Sequence, residues 1–183
     1  KRDALASLFG TVANTCGAID ELAEKRFGDL PVLPEDIVAV HRLYQKRKQQ
    51  LGAMDFDDLL VNCHALFREH EDILQRYQQR FRHVLVDEYQ DTNSVQAGLV
   101  DMVARAHGNL FVVGDDFQSI YAWRGANYRN IMSFPERYKG TQMFKLETNY
   151  RSVPEVLDVA NACIAGNPEQ FQKTLRATRE AHR

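Results

Sequence analysis

The chain has little of several features that would place a protein in a class at once. Its 183 residues include three cysteines, five prolines and one tryptophan, and the formal net charge is −2. No run of apolar residues is long enough to span a bilayer. The near-neutral charge argues against a uniformly basic surface, so any nucleic acid must be bound by local features. An apolar content of 44% and a charged content of 26% are typical of a globular domain.

The cysteines argue against a disulfide framework or a metal site. Cys16, Cys63 and Cys163 are far apart in the chain and odd in number, and the last two fall on apolar helical faces. Such residues are typical of reduced core thiols in a cytosolic protein. We therefore expect a cytoplasmic protein that does not associate with a membrane.

The first third of the chain has the pattern of helices. Pro34 stands at one helix start, and Gly52 stands where that helix should stop. The next stretch, DFDDLLVNCHALFREH, has apolar residues at helical spacing, and Asp55 is a suitable N-cap. A shorter helix is predicted around Tyr77. This region is therefore expected to begin with a helical subdomain.

Farther along, the pattern changes to short apolar strands that alternate with helices. HVLVDE and NLFVVGDD each end in carboxylates, and QMFKLE is predicted as a third strand. One helix is predicted from Asn93 to Ala106. Another is predicted in SVPEVLDVANACIAG, where Ser152 and Glu155 suit a capping box. Strands alternating with helices predict an α/β fold with a parallel sheet and crossover helices.

Two of the predicted strands bring polar residues to the same edge of the sheet. Ligands of open parallel sheets bind beyond the carboxyl ends of the strands, so one crevice should be lined by Asp87, Glu88, Asp115, Asp116 and Gln118. Clustered carboxylates repel one another unless a cation neutralises them, and a divalent ion is the simplest candidate. An apolar strand followed by Asp-Glu is the Walker B pattern, in which Asp binds Mg²⁺ and Glu activates water. For the first pair alone, an acidic turn that caps the next helix is an equally good interpretation.

The stretch VGDDFQSIYAWRGA favours the catalytic interpretation. It carries Gln118, Tyr121, Trp123 and Arg124 in one loop. Two large aromatic side chains beside an arginine suit stacking on single-stranded bases, which contributes roughly 1–3 kcal/mol per base. The alternative is that both rings fill the core, but they lie between two glycines and among polar residues. Gln118 would be placed to sense or polarise a terminal phosphate.

A third block, LETNYRS, places Tyr150 and Arg151 directly before the last predicted helix. Arg151 would reach a γ-phosphate as an arginine finger, and Tyr150 would stack on a purine. Because Tyr and Arg flank many helices, this block carries weight only together with the other two.

The three blocks together resemble the UvrD/Rep family of superfamily 1 DNA helicases. VLVDEYQDTN is similar to the family's motif II, VGDDFQSIYAWRGA to its motif III, and LETNYRS to its motif IV. Their order and spacing also agree with the family. The resemblance extends from about Met54 to Gly166.

The resemblance implies a fold and a division of the chain. The implied fold is a partial RecA-like P-loop NTPase fold, an α/β parallel sheet with flanking helices that follows a helical subdomain. Residues 1–52 would then be the end of a helical insertion. Residues 53–135 would be part of the first RecA-like domain, and residues 136–183 the start of the second.

For the nucleotide, the resemblance implies ATP with Mg²⁺ and assigns a role to each residue. Asp87 would coordinate Mg²⁺, and Glu88 would activate the water that attacks ATP. Gln118 and Arg151 would contact the γ-phosphate, and Tyr150 would pack on the adenine.

For DNA, the resemblance implies translocation from 3′ to 5′ on a single strand and separation of duplex DNA at junctions. Tyr121 and Trp123 would stack on bases, and Arg124 would support that region. Repair or replication proteins would be the expected partners.

One feature of the family is missing from these residues. No G-x-x-x-x-G-K-[S/T] loop occurs, since no glycine is followed by Lys-Ser or Lys-Thr. We therefore expect an internal piece of a helicase that would not hydrolyse ATP alone. Two alternatives remain, namely the helicase subunit of a helicase–nuclease and a helicase-like module that binds DNA or a partner without hydrolysis.

Overall fold

The computed structural model describes residues 2–28 and 33–181, apart from the side chain of Arg124. These residues form nine α-helices, three 3₁₀ turns and four short strands. The helices are α1 (Arg2–Thr15), α2 (Ile19–Phe27), α3 (Pro34–Leu51), α4 (Phe56–Glu69), α5 (Glu71–Arg80), α6 (Ser94–Ala104), α7 (Arg129–Met132), α8 (Phe134–Arg137) and α9 (Pro154–Ile164). The strands are β1 (Val84–Val86), β2 (Leu110–Val112), β3 (Thr148–Asn149) and β4 (Arg176–Ala177). The 3₁₀ turns are Tyr89–Asp91, Asp116–Gln118 and Ala122–Arg124.

The first three helices pack around a small apolar cluster of their own. Leu8, Ala23 and Ile37 are buried there, one from each helix. The predicted bounds of α3 are confirmed, because Pro34 occupies its first turn and Gly52 caps its end in the left-handed conformation.

Helix α4 begins with the N-cap that its sequence predicts. The Asp55 side chain accepts a hydrogen bond from the Asp58 backbone N–H, and the Asp58 side chain accepts one from the Asp55 backbone N–H. The Lys48 ammonium lies 2.7 Å from both carboxylates. This reciprocal cap fixes the start of α4, which packs on α1 and α6.

Strands β1 and β2 are parallel neighbours, as the sequence predicts, with α6 between them in the chain. Their register pairs Val84 with Leu110 and Val86 with Val112. One face of this pair packs against a cluster of buried side chains, formed by Tyr89, Ile131 and Phe134. The opposite face leaves two side chains exposed, Leu85 at 74% and Phe111 at 56%.

The prediction of a strand at QMFKLE is wrong. This segment has no regular secondary structure, and the strand of this region is β3, which pairs in parallel with β4. A strand needs a hydrogen-bonded neighbour. Among the described residues, the backbone of this segment pairs with the β4 region only at Glu147, whose carbonyl oxygen accepts from the Arg176 N–H.

Helix α9 begins differently from the prediction. Its N-cap is Val153, with no side-chain cap, so the expected box of Ser152 and Glu155 does not form. The Asn149 side chain instead accepts hydrogen bonds from the backbone N–H groups of Arg151 and Ser152. Pro154 occupies the first helical position.

All three cysteines are free thiols, but they are not all in a core. Cys63 is half-buried, whereas Cys16 and Cys163 are exposed, so the expectation of a core position for Cys163 is wrong. Within the two described ranges, no helix combines the length and apolar character needed to cross a membrane.

Candidate functional site

The chain leaves β1 through two adjacent carboxylates with an unusual backbone. Glu88 has φ 50° and ψ 43°, the left-handed region that a residue with a side chain rarely adopts. The Asp87 carboxylate accepts a hydrogen bond of 2.9 Å from the Glu88 backbone N–H. Strain of this kind persists where the surroundings fix the residue, and it is common at functional sites.

Gln90 fixes the Glu88 side chain by a hydrogen bond. Its side chain is almost fully buried, at 1% exposure. The amide N–H donates to a Glu88 carboxylate oxygen over 2.7 Å, and the amide oxygen accepts from the Asp115 backbone N–H over 2.9 Å. Gln90 therefore joins the end of β1 to the segment that follows β2.

Gly114 leaves the space that Gln90 occupies. A Cβ atom at this position would lie 2.6 Å from the Gln90 amide oxygen and 2.6 Å from the Ile131 Cδ1. The glycine of VGDD is therefore required by the close approach of the Gln90 and Ile131 side chains.

Asp87 and Glu88 face an open cleft of about 500 Å³. It is lined by Val86, Asp87, Glu88, Asp91, Thr92, Gln96, Leu99 and Val100. No basic side chain is among these lining residues. One buried Asp91 carboxylate oxygen has no hydrogen-bond partner, and burial raises the pKa of this carboxyl, with a further contribution from the negative charge of Glu88.

The other predicted carboxylates are neutralised in a different way. Lys173 places its ammonium 2.5 Å from Asp115 and 2.8 Å from Asp116. Burial alone would raise the pKa of Asp115, but the hydrogen bonds from Lys173 and Gln118 outweigh burial and hold it below its usual value. Of the five residues that the sequence predicts in one crevice, Asp87 and Glu88 line this cleft, whereas Asp115 and Asp116 are neutralised by a lysine.

Gln118 lies next to this group of charges. Its side-chain amide donates to the second oxygen of the Asp115 carboxylate over 2.7 Å. Because the Asp115 backbone also bonds to Gln90, the structure connects Gln118 to Glu88 through two intervening residues.

The two aromatic residues of the loop are close together and on the surface. Tyr121 is 38% exposed and Trp123 is 71% exposed, so neither fills the core. Their ring centroids are 6.4 Å apart, with an interplanar angle of 50°. The backbone of Arg124 belongs to the same 3₁₀ turn, but its side chain lies outside the described residues.

Tyr150 and Arg151 follow β3, in the second small sheet. Both are exposed, Tyr150 at 77%. In the described part of the chain, no hydrogen bond or ion pair joins the Arg151 side chain to Glu88 or Gln118. The structure therefore brings motif II and motif III together, and it leaves the motif IV pair on a separate sheet.

Two residues of this site were missed from the sequence, Gln90 and Lys173. The partners of Gln90 include Asp115, which is 25 positions away, and the partners of Lys173 are 57 and 58 positions away. The one local signal is that Gln90 stands two positions after Glu88 in a run of polar residues.

Comparison with known proteins identifies the class to which this fold and site belong. The family model described as the UvrD/REP helicase N-terminal domain matches residues 20–139. The chain belongs to the UvrD/Rep helicase family, and the resemblance found in its motifs is confirmed.

The similar relatives are named as DNA helicases. An ATP-dependent DNA helicase PcrA of Leuconostoc citreum is 45% identical over 141 residues, which is 77% of this chain and 19% of the relative. A DNA helicase II of Haemophilus influenzae is 44% identical over 138 residues, and one of Escherichia coli is 42% identical over 136 residues. The chain spans only 19% of the length of each of these three relatives.

Proposed function

We propose that the protein containing this chain is an ATP-driven DNA helicase that moves from 3′ to 5′ on single-stranded DNA. The observation that carries the proposal is Glu88, which is held in the left-handed conformation at a strand end and anchored by Gln90 above an open cleft. Its relatives are named as ATP-dependent DNA helicases. Residues 1–52 would be the end of a helical insertion, residues 53–135 part of the first RecA-like domain and residues 136–183 the start of the second, and the two RecA-like domains would share the nucleotide.

The donor set at the cleft fits a magnesium ion bound together with a nucleotide. Mg²⁺ in nucleotide sites takes one or two protein carboxylates, and phosphate and water oxygens supply the other ligands. Within residues 2–28 and 33–181 no three His, Cys, Asp or Glu side chains are grouped around one ion position, so an all-protein cage is not offered. Asp87 would hold the ion, which would neutralise charge on the phosphates.

Glu88 would act as the general base. Its position after β1 gives it access to the cleft, and the Gln90 hydrogen bond fixes the direction of its carboxylate. A fixed carboxylate can orient a water molecule and accept its proton as the water attacks the terminal phosphate. Gln118 and Arg151 would contact the γ-phosphate, and Tyr150 would pack on the adenine.

Tyr121 and Trp123 would bind single-stranded DNA. Both residues are exposed and their ring centroids are 6.4 Å apart, and aromatic rings at a surface can stack on bases irrespective of sequence. Arg124 would support the same region. Because this loop continues directly from Gln118, a change at the nucleotide can reach the rings through a few residues.

Glu88→Gln in the protein that contains this chain tests the proposal. The amide keeps the shape of the side chain but cannot accept the proton of water, so hydrolysis of ATP should fall by roughly 100-fold or more. Nucleotide affinity should stay within about two-fold, as measured by fluorescence with a labelled ATP analogue. Glu136→Gln on α8, where the side chain is exposed, is the matched control and should behave as the wild type. Normal turnover in the Glu88→Gln protein would contradict the assignment.

A further inference from the structure

Lys173 supplies the positive charge that the start of motif III requires. Its ammonium bonds to the carboxylates of Asp115 and Asp116, and it lies 3.9 Å from the centre of the Phe117 ring. The side chains of Lys173 and Asp116 are only 12% and 4% exposed. Two adjacent carboxylates in so little water would repel each other strongly without this cation.

The segment that carries Lys173 is attached to the first sheet by more than one contact. Phe171 packs against the buried cluster beside β1 and β2, and its backbone N–H donates to Asp116 over 2.9 Å. Nearby, the Tyr128 hydroxyl donates to the Glu169 carboxylate. The segment between α9 and β4, residues 165–175, therefore packs across motif III, and it is called the strap below.

Hydrogen bonds lead from Lys173 into the candidate ATP site along two routes. One Asp115 carboxylate oxygen binds Lys173, and the other accepts from Gln118. The Asp115 backbone N–H donates to Gln90, which in turn donates to Glu88. The orientation of Asp115 thus determines the positions of the proposed γ-phosphate contact and, through its backbone, the support of the proposed base.

We propose that Lys173 is a positioning residue for ATP hydrolysis, which couples the strap after α9 to Gln118 and Glu88 by fixing Asp115. The inference rests on the proposed function, and it adds a residue outside the three motifs. Without the ammonium, Asp115 and Asp116 repel each other and Asp115 turns toward water. Gln118 then loses its partner, and Gln90 loses a fixed donor.

The test is Lys173→Met in the protein that contains this chain, assayed for ATP hydrolysis with saturating single-stranded DNA. Methionine keeps much of the length and removes the charge. The kcat should fall roughly ten-fold or more, because small misplacements of catalytic groups are costly. The KM for ATP should change by less than about three-fold, since the substitution leaves in place most of the residues proposed to bind the nucleotide. Lys139→Met, at an exposed lysine, should leave both constants at the wild-type value.

A second substitution separates positioning from a general loss of structure. The double variant Lys173→Met with Asp116→Asn lacks one of the two repelling charges, so its kcat should be several-fold higher than that of Lys173→Met alone. This recovery is expected even though the hydrogen bond from the Phe171 N–H to residue 116 is weakened. Lys173→Arg should recover kcat more than the double variant does, since it restores a cation. Assays are run well below the melting temperature of every variant, so that a merely structural role leaves kcat unchanged.

The outcomes distinguish this inference from the proposed function. If Glu88→Gln abolishes hydrolysis while Lys173→Met retains the wild-type kcat, the positioning role is overturned and the helicase assignment stands. If Lys173→Met does not fold, Lys173→Gln keeps a donor beside Asp116, and a wild-type kcat in that variant overturns the inference. Full turnover by Glu88→Gln would instead remove the proposed function.

Discussion

Glu88 has a backbone conformation that costs free energy and a side chain that is held in place. The left-handed region costs a residue with a Cβ atom about 1–2 kcal/mol. In this protein the surrounding hydrogen bonds compensate, one from the Glu88 N–H to Asp87 and one from Gln90 to the Glu88 carboxylate. The turn directs the carboxylate into the cleft, so the local strain serves the proposed chemistry.

Gly114→Ala tests whether Gln90 supports Glu88. A methyl group at this position would lie 2.6 Å from the Gln90 amide oxygen, so the amide must move and its hydrogen bond to Glu88 weakens. Stability should fall by about 1–3 kcal/mol, the usual cost of overpacking. ATP hydrolysis should fall roughly ten-fold, as a displaced base predicts.

Gly166→Ala is the matched control for this substitution. A Cβ there would meet only the Cys163 carbonyl oxygen, at 3.9 Å, which is an ordinary contact. Thermal unfolding and steady-state hydrolysis are measured for both variants. Equal behaviour of the two alanine proteins would show that Gln90 does not depend on Gly114.

At the scale of the elements, local chemistry in the sequence predicts the helices well. Asp55 and Pro34 start their helices where the sequence indicates, because caps and first-turn prolines act over a few residues. QMFKLE fails as a strand because its secondary structure depends on a neighbour that the described residues do not provide. The Asp-Glu pair after β1 was predictable because it directly follows an apolar strand, whereas Gln90 and Lys173 each bond to Asp115, which is 25 and 58 positions away from them.

Asp55→Ala should loosen the start of α4. The substitution removes the N-cap, the ion pair with Lys48 and the hydrogen bond that the Tyr44 hydroxyl donates, and loss of a cap costs about 1 kcal/mol. Amide hydrogen exchange in residues 56–59 should therefore accelerate roughly five-fold, the factor that corresponds to that free energy. Asp72→Ala, in the exposed first turn of α5, is the control and should leave exchange in both helices nearly unchanged.

The stability that the Asp55 cap gives to the start of α4 should decrease as the pH falls. Burial opposes ionisation of Asp55, but the hydrogen bonds from Lys48 and from the Asp58 and Tyr44 groups prevail and lower its pKa to about 2. A lowered pKa means that the stabilisation is present above the unfolded value of about 4 and is lost as the pH falls toward 2. Protection of residues 56–59 in the wild type should decline across this window, and Asp55→Ala should lack that part of the decline.

At the scale of the whole molecule, the described residues cover the parallel pair β1 and β2 on one face only. Val86 and Val112 pack toward the buried cluster, whereas Leu85 and Phe111, which face each other in the register, are exposed. Two strands alone are rarely stable, and parallel sheets are normally covered on both faces. Since this chain spans only 19% of its helicase relatives, we expect further residues of the protein to pack on this open face.

Leu85→Lys in the protein that contains this chain tests that expectation. If the face is covered, the substitution forfeits the burial of a leucine, about 1.5–3 kcal/mol, and places a charge in an apolar layer. The melting temperature should fall by several degrees, whereas Leu43→Lys should change it little, because that leucine lies on an exposed face of α3 with a similar exposure of 66%. Both proteins are compared by calorimetry under identical conditions and with amide exchange across β1. If Leu85→Lys melts with the wild type and β1 exchanges freely, the face is open to solvent and the sheet ends at these two strands.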